Sequence, residues 1–516
     1  MRTPAQAAEQ LKNKWKPQGR LAFVAAFVQG LLIHMPILLS DIPNHDGLDS
    51  MYFDQNMITS GRWFLTYACG ISSYFTIPWV IGLLGFLFLG LTAAALTELL
   101  ELRDKVIIVL VSGLLVAFPA LTSTFAYVYT LDGYMLALFL AVLAVLLTKK
   151  YRFGFTAGAV CLGCSLGVYQ AYLPFAVFLC MYMGLLLFME EGALRGKLKG
   201  LLRYLYMGIL GLVFYYGALR LLLLIQGKEL ASYQGINGEG SAGIGLIQRI
   251  AACYRDFAAF TFRGNVLYNN IFSGTALLLL AFAAVFAIIG LCRQKKLWRK
   301  PSFFVMIGLM LLGLPIAANV ILIVSPQVNY HLLMRYQWGL LLILGLALVD
   351  KAAREPGRGM TAASWGAVLA AAVLVLHYGV SDNIAYSNLE KRYEKTYAYC
   401  LRLLDRIEQT EGYYQGIPIA MIGVVGDEQY PVTDITGHVT RGMIGMNGDS
   451  LLYTGANYEA FMKHYLGATL NFLEPEVMAE IYYSPEYMEM DSFPGENSVK
   501  VVDGILYIKT ENSSRD

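Results

Sequence analysis

Apolar residues fall in long, nearly unbroken runs along this chain, and charge is confined to the gaps between them. Runs of this length are enough for a helix to cross ~30 Å of hydrocarbon. The pattern predicts roughly eleven such helices. The first runs from about Leu21 to Ser40, the second from near Pro78 to Glu98–Lys105, and the third rises to about Leu121. The fourth descends from Asp132 to Lys149, and the fifth and sixth share Phe153 to Phe188 around a bend at Tyr169-Gln170-Ala171-Tyr172. The seventh spans about Tyr204 to Ile225, the eighth reaches Arg293, and the ninth returns to Ser325. The tenth ends at Asp350–Arg358, and the eleventh runs from about Ala362 to Val380.

Between these runs the gaps alternate in character. Arg2, Lys12, Lys14, Lys16 and Arg20 precede the first helix; Lys149, Lys150 and Arg152, then Arg195, Lys197, Lys199 and Arg203, then Arg293, Lys295, Lys296, Arg299 and Lys300 mark every second gap. Basic short loops stay in the cytoplasm, so residues 1–20 are expected inside. The opposite gaps, 41–76, 122–131, 226–270 and 325–336, are then outer loops. The first apolar run is too long for a secretory h-region and lacks an A-x-A end, so it is expected to remain as a helix. Within 226–270, Ile247, Ile250, Ala251, Tyr254 and Ala258 recur at helical spacing, which predicts an amphipathic helix lying on the membrane.

The periodicity changes beyond Ser381. Asn388 to Glu411 is charged and helical, GIPIAMIGVVG reads as a buried strand, and VKVVDGILYIK reads as a hairpin because Asp-Gly suits a two-residue turn. The chain is therefore expected to be an α-helical polytopic membrane protein over residues 21–380, followed by a small extracytoplasmic α+β domain over 381–516. Composition agrees: 57% of the 516 residues are hydrophobic and 15% charged, well below the usual quarter. The net charge of +2 hides an asymmetry, since the part from Ser381 onward holds 21 acidic and 10 basic residues, leaving 16 acidic and 29 basic before it.

The stretch most loaded with candidate chemistry is Asp41 to Trp63, DIPNHDGLDSMYFDQNMITSGRW, which carries Asp41, Asp46, Asp49 and Asp54 before its first cation, Arg62. Carboxylates beside hydrocarbon are costly, and capping by Asp46 explains only one of four. A short helix capped by Asp46 and ended by Gly61 is expected here, with Leu48, Met51, Tyr52 and Gln55 on one face. Asp132, Gln170, Arg263, His331 and Arg335 lie at the outer ends of other helices. No P-loop, GxSxG or zinc spacing occurs. The glycines of GINGEG read as loop. Seven scattered cysteines suggest no disulfide framework, and Cys161 and Cys164 stand in an apolar run that favours packing over metal binding.

PNHDGLDSMYFDQNMITSGRWF resembles the first outer loop of GtrII-type glucosyltransferases, multi-helix enzymes of the GT-C class, in joining an Asp after helix 1 (Asp46) to a downstream Gly61-Arg62-Trp63. FAYVYTLDGYMLALFLAVLAVLL and SLGVYQAYLPFAVFL resemble that family's second and third outer segments, so the likeness covers about the first two-thirds of the chain. The resemblance implies a GT-C-like fold and transfer of a sugar, usually glucose, from a polyprenyl-phosphate carrier to a cell-surface glycan, on a bilayer and without nucleic acid. Such a reaction wants a carboxylate base for the acceptor hydroxyl and cations for the leaving phosphate. Asp46 is the first candidate base, then Asp41 and Asp49. Arg335, Arg62 and Arg263 are phosphate-side candidates, with Asp132, Tyr129, Gln170 and His331 toward sugar or acceptor. Tyr127, Tyr169 and Tyr172 offer further rings. No cofactor is required; a divalent metal is compatible with the reading but not indicated. A lipid-linked glycan polymerase or ligase would share this site. A flippase or transporter would show mid-membrane charges and repeat symmetry, and the sequence shows neither.

Overall fold

The computed structural model describes residues 3–6, 9, 15–50, 55–70, 77–232, 243–264, 266–355, 357–422, 434–443, 445, 446, 452 and 455–510, and the side chains of Asp49, Ser50, Ile422 and residues 434–436 fall outside that description. Asp54, Met51 and Tyr52 lie outside the described residues.

The described residues form a helical bundle that carries a small sheet near the C-terminus. In chain order the main helices are α1 (Pro17–Leu39), α2 (His45–Ser50), α3 (Pro78–Leu100), α4 (Lys105–Ala117), α5 (Pro119–Phe125), α6 (Leu131–Lys150), α7 (Gly154–Val168), α8 (Leu173–Met189) and α9 (Leu194–Gln226). They continue as α10 (Leu246–Arg263), α11 (Ile271–Gln294), α12 (Pro301–Ala318), α13 (Gln337–Ala352), α14 (Arg358–Gln409) and α15 (Gly455–Tyr465). The predicted apolar segments are all present as helices in the predicted order. Eight helices among the described residues are long and apolar enough to cross a membrane, or nine when the bent pair α4–α5 counts as one span. The bend of 45° falls at Pro119, whose missing N–H and bulky ring interrupt the helical ladder. Residues 153–188 do form two helices, α7 and α8, broken at Gln170–Tyr172.

Lipid tails are as apolar as leucine, so helices in a bilayer associate by close packing and polar contacts rather than by escape from water. Accordingly α1 packs on α3 and α4, α3 on α6, α6 on α7, and α7 on α9. A Cβ at Gly82 would stand 2.2 Å from Leu38, so glycine is what lets α3 approach α1. Helices α3 to α8 form the buried centre, while α9, α11 and α12 turn rows of Leu, Phe and Val outward, the surface that hydrocarbon would cover.

The basic gaps gather at one end. Lys16 and Lys150 both reach Glu98 (3.6 and 2.9 Å), Lys149 reaches Glu101 (2.7 Å), and Lys295 reaches Glu190 (2.8 Å). Buried Asp350 accepts from the Asp104 N–H at 2.8 Å and from Arg354 at 3.1 Å, tying the end of α13 to the start of α4. The turns within 55–70, 126–130, 169–172, 266–270 and 325–336 join the helices at their other ends.

Two expectations are corrected here. No break occurs at Ser381: α14 is one helix of 52 residues, roughly 78 Å long, whose apolar first half continues into the amphipathic stretch beyond. The first-loop helix is capped by Asn44, whose Oδ1 accepts the Gly47 N–H at 2.7 Å, rather than by Asp46, which sits in the first turn. Gly61 ends a separate 3₁₀ turn, Ile58–Ser60, with φ of 77°. The C-terminal sheet has strands β1 (Pro418–Ile422), β2 (Asn471–Phe472), β3 (Val499–Val502) and β4 (Ile505–Lys509) in the order β2-β1-β4-β3. β3 and β4 form the anticipated hairpin, with Asp503 and Gly504 both at positive φ (49° and 78°), as a type I′ turn needs.

Candidate active site

The Gly61-Arg62-Trp63 turn is fastened on several sides. The Gln170 amide donates to the Ser60 carbonyl (3.2 Å) and to the Tyr215 hydroxyl (3.0 Å), which in turn donates to the Gly61 carbonyl (3.1 Å). The Phe64 N–H donates to the Gly167 carbonyl at 2.7 Å. A Cβ at Gly167 would lie 2.6 Å from Trp63, so the backbone of α7 and the indole meet only because that residue is glycine. The Trp63 indole N–H is buried without an acceptor among the described residues.

This anchoring aims Arg62 at the N-terminal end of α6. Its guanidinium donates to the Tyr134 hydroxyl at 3.2 Å and lies over the Tyr169 ring, 5.3 Å from its centroid. Tyr134 and Tyr169 are stacked at 4.5 Å, and Tyr169 meets Tyr172 edge-on at 5.4 Å. Asp132 is two residues before Tyr134, only 2% exposed, and its Oδ1 accepts the Gly133 N–H at 2.9 Å. Burial, then the Asp132 carboxylate, push the neighbouring Cys69 thiol well above its usual range. Arg62, Asp132 and Gln170, from three distant parts of the sequence, therefore share one neighbourhood.

Asp46 stands in the first turn of α2, its side chain 51% accessible and its Oδ1 3.3 Å from His45 Nε2. His45 entered no candidate list; an adjacent His-Asp pair was the available signal. The Tyr129 ring approaches α2 at Gly47, where a Cβ would meet it at 4.0 Å, and packs on Tyr127. Asp41 is exposed at the start of the loop.

Arg335 lies elsewhere. It makes a two-pronged pair with Asp256 of α10 (2.6 and 2.8 Å), sits 3.8 Å over the Tyr330 ring and 4.7 Å over Phe260, and is 4% exposed. It is thus neither snorkelling nor open to solvent, and Asp256 is a partner that the sequence reading passed over. His331, beside it, has its pKa lowered first by burial and second by the Arg335 charge. The neighbouring Tyr336 packs on Phe175 of α8 at 5.8 Å. Arg263 is exposed at the last turn of α10.

A further buried polar group was missed because it falls just past Ser381, where acidic residues were counted as tail. Asp382 is fully buried; the Thr122 hydroxyl faces its carboxylate, yet among the described residues no bond of ordinary geometry closes. One turn on, the Tyr386 hydroxyl meets His34 Nδ1 at 2.5 Å, while His34 Nε2 meets the Val116 carbonyl at 2.8 Å. Both ring nitrogens of His34 thus have partners, as a structural histidine needs. Among the described residues, no group of three or more His, Cys, Asp or Glu is placed to hold a metal.

No curated protein and no solved structure matches the chain. The model of one family, described as Glucosyl transferase GtrII, matches residues 35–349, which takes in α2, the Arg62 neighbourhood and the Arg335–Asp256 pair. That match spans more than half of the chain, and the chain belongs to the Glucosyl transferase GtrII family.

Proposed function

We propose that this membrane glycosyltransferase moves glucose from a polyprenyl-phosphate donor to a cell-surface glycan on the outer face of a cell membrane. The observation that carries the reading is the docking of the Gly61-Arg62-Trp63 turn onto the outer ends of α6, α7 and α9. A lipid carrier keeps its tail in hydrocarbon, so its sugar phosphate reaches the helix ends, where this neighbourhood lies.

In one displacement the acceptor hydroxyl attacks the anomeric carbon, its proton passes to a carboxylate, and the bond to the phosphate oxygen breaks. Asp46 is the base in this scheme, followed by Asp41 and Asp49. Arg62, bonded to Tyr134 and set over the Tyr169 ring, takes the phosphate side in this scheme, with Arg335 and Arg263 as the further cations. Asp132, Tyr129 and Gln170 line the sugar side, with His331 beside Arg335. The basic helix ends lie in the cytoplasm in this scheme, and residues from about 381 lie outside.

Purified protein in liposomes, given radiolabelled polyprenyl-phosphate-glucose or radiolabelled UDP-glucose with a cell-envelope glycan fraction, tests the donor. Label should enter the glycan from the lipid-linked sugar alone. Label entering only from the sugar nucleotide would overturn the donor assignment.

A further inference from the structure

The family match stops at residue 349, so it gives no role to the region beyond α13. That region nonetheless reaches the first outer loop. α15 packs on α2, the Asn457 amide donates to the His45 carbonyl at 3.4 Å, and the Tyr465 hydroxyl donates to the Asp41 carbonyl at 3.4 Å. A backing scaffold would need nothing more, yet aromatic rings collect at the same edge.

Tyr393 and Tyr397 are one turn apart on α14, on one face, with centroids 6.4 Å apart. Tyr393 meets Tyr465 edge-on at 5.3 Å and Phe461 at 5.8 Å, and Phe461 lies under Tyr465 at 4.9 Å. Phe461 is wholly buried and supports the set; Tyr393 and Tyr465 are half-buried, and Tyr397 is 38% exposed. Asp41 stands near enough that, after burial and Tyr397, its charge helps to hold the Tyr393 hydroxyl above its ordinary pKa.

Tyrosine presents a rigid ring and a polar tip at little cost in rotamer freedom. A pyranose has the matching surface: a face of C–H groups and an edge of hydroxyls. An ionised carboxylate only accepts hydrogen bonds, so Asp41 favours a ligand rich in hydroxyl donors and repels a phosphate. We propose that Tyr393, Tyr397 and Tyr465, with Asp41, form a subsite for the acceptor oligosaccharide, which the C-terminal region adds to the family's first outer loop. The inference rests on the glycosyl-transfer reading for its ligand, and it assigns the donor to the other side of that loop.

Two readouts test it on the full-length protein in nanodiscs. In the transfer assay, Tyr397→Ala should raise the acceptor KM about fivefold and leave the donor KM and kcat little changed, with Tyr397→Trp restoring it. Without donor, saturation-transfer NMR with soluble gluco-, manno-, galacto- and rhamno-configured tetrasaccharides should show contact in the wild type and lose it in Tyr397→Ala. Tyr465→Phe keeps the ring and drops the contact to Asp41, so it should keep most of the binding and report on folding. An unchanged acceptor KM together with unchanged saturation transfer would overturn the subsite, as would no contact with any of the four sugars in the wild type. Contact that depends on Tyr397 in a protein that transfers no glucose would keep the subsite and remove the glucosyl-transfer reading.

Discussion

Arg335 has the carboxylate of Asp256 locked onto it in two-pronged geometry. Breaking a buried pair from one side strands the other charge. Asp256→Asn should therefore lower unfolding stability in detergent by about 2–3 kcal/mol, and Arg335→Gln added to it should restore part of the loss; an unchanged midpoint in Asp256→Asn would show the pair to be idle. His331 beside it supplies a pH signature. Its folded pKa lies below the ordinary 6.5, so the unfolded chain binds the proton more readily. Stability at this site is intact above 6.5 and falls as pH drops through that value toward the folded pKa. His331→Gln should flatten the acid limb of a thermal-unfolding series, and an identical limb would exclude His331 as its source. At this scale the sequence makes carboxylates and cations between apolar runs conspicuous. It could not pair them: Arg335 and Asp256 are 79 residues apart, and only the fold makes them neighbours.

The Gly61-Arg62-Trp63 turn works as an element because two glycines admit its neighbours. A Cβ at Gly167 would stand 2.6 Å from Trp63 and 3.0 Å from Phe64, and one at Gly133 would stand 2.5 Å from the Cys69 sulfur. Overpacking of this kind costs about 1–3 kcal/mol. Gly167→Ala should keep the protein folded while shifting the turn, so transfer should fall at least tenfold with only a modest drop in melting temperature. Full activity would show that the docking of this turn on α7 does not set the reacting geometry. Helix order and the α7–α8 break were legible in the run lengths, and the Asp-Gly hairpin in its turn chemistry. The cap of α2 was not, since Asn44 and Asp46 are equally good capping types, and the backbone alone decides between them.

For the whole molecule, ion pairs tie helix ends of separate spans together, and α14 leads from the bundle to the small sheet. The sequence placed a boundary at Ser381 because hydropathy drops there. Hydropathy reports the surrounding solvent and says nothing about whether a helix continues through the change, which is also why Asp382 went unnoticed. Protease added to intact cells should cut beyond α14 and spare residues 1–16; the reverse cleavage would invert the proposed orientation. The central claim is that an aspartate of the first outer loop removes the acceptor proton. Its most direct measurement is transfer of radiolabelled glucose from polyprenyl-phosphate-glucose by Asp46→Asn, beside Asp41→Asn and Asp49→Asn. Asparagine keeps the shape but cannot take the proton, so Asp46→Asn should lose ~10²–10⁴ in rate while inserting and melting normally. A dead Asp41→Asn beside a near-normal Asp46→Asn would move the base within the loop, and near-normal turnover in all three would contradict the account.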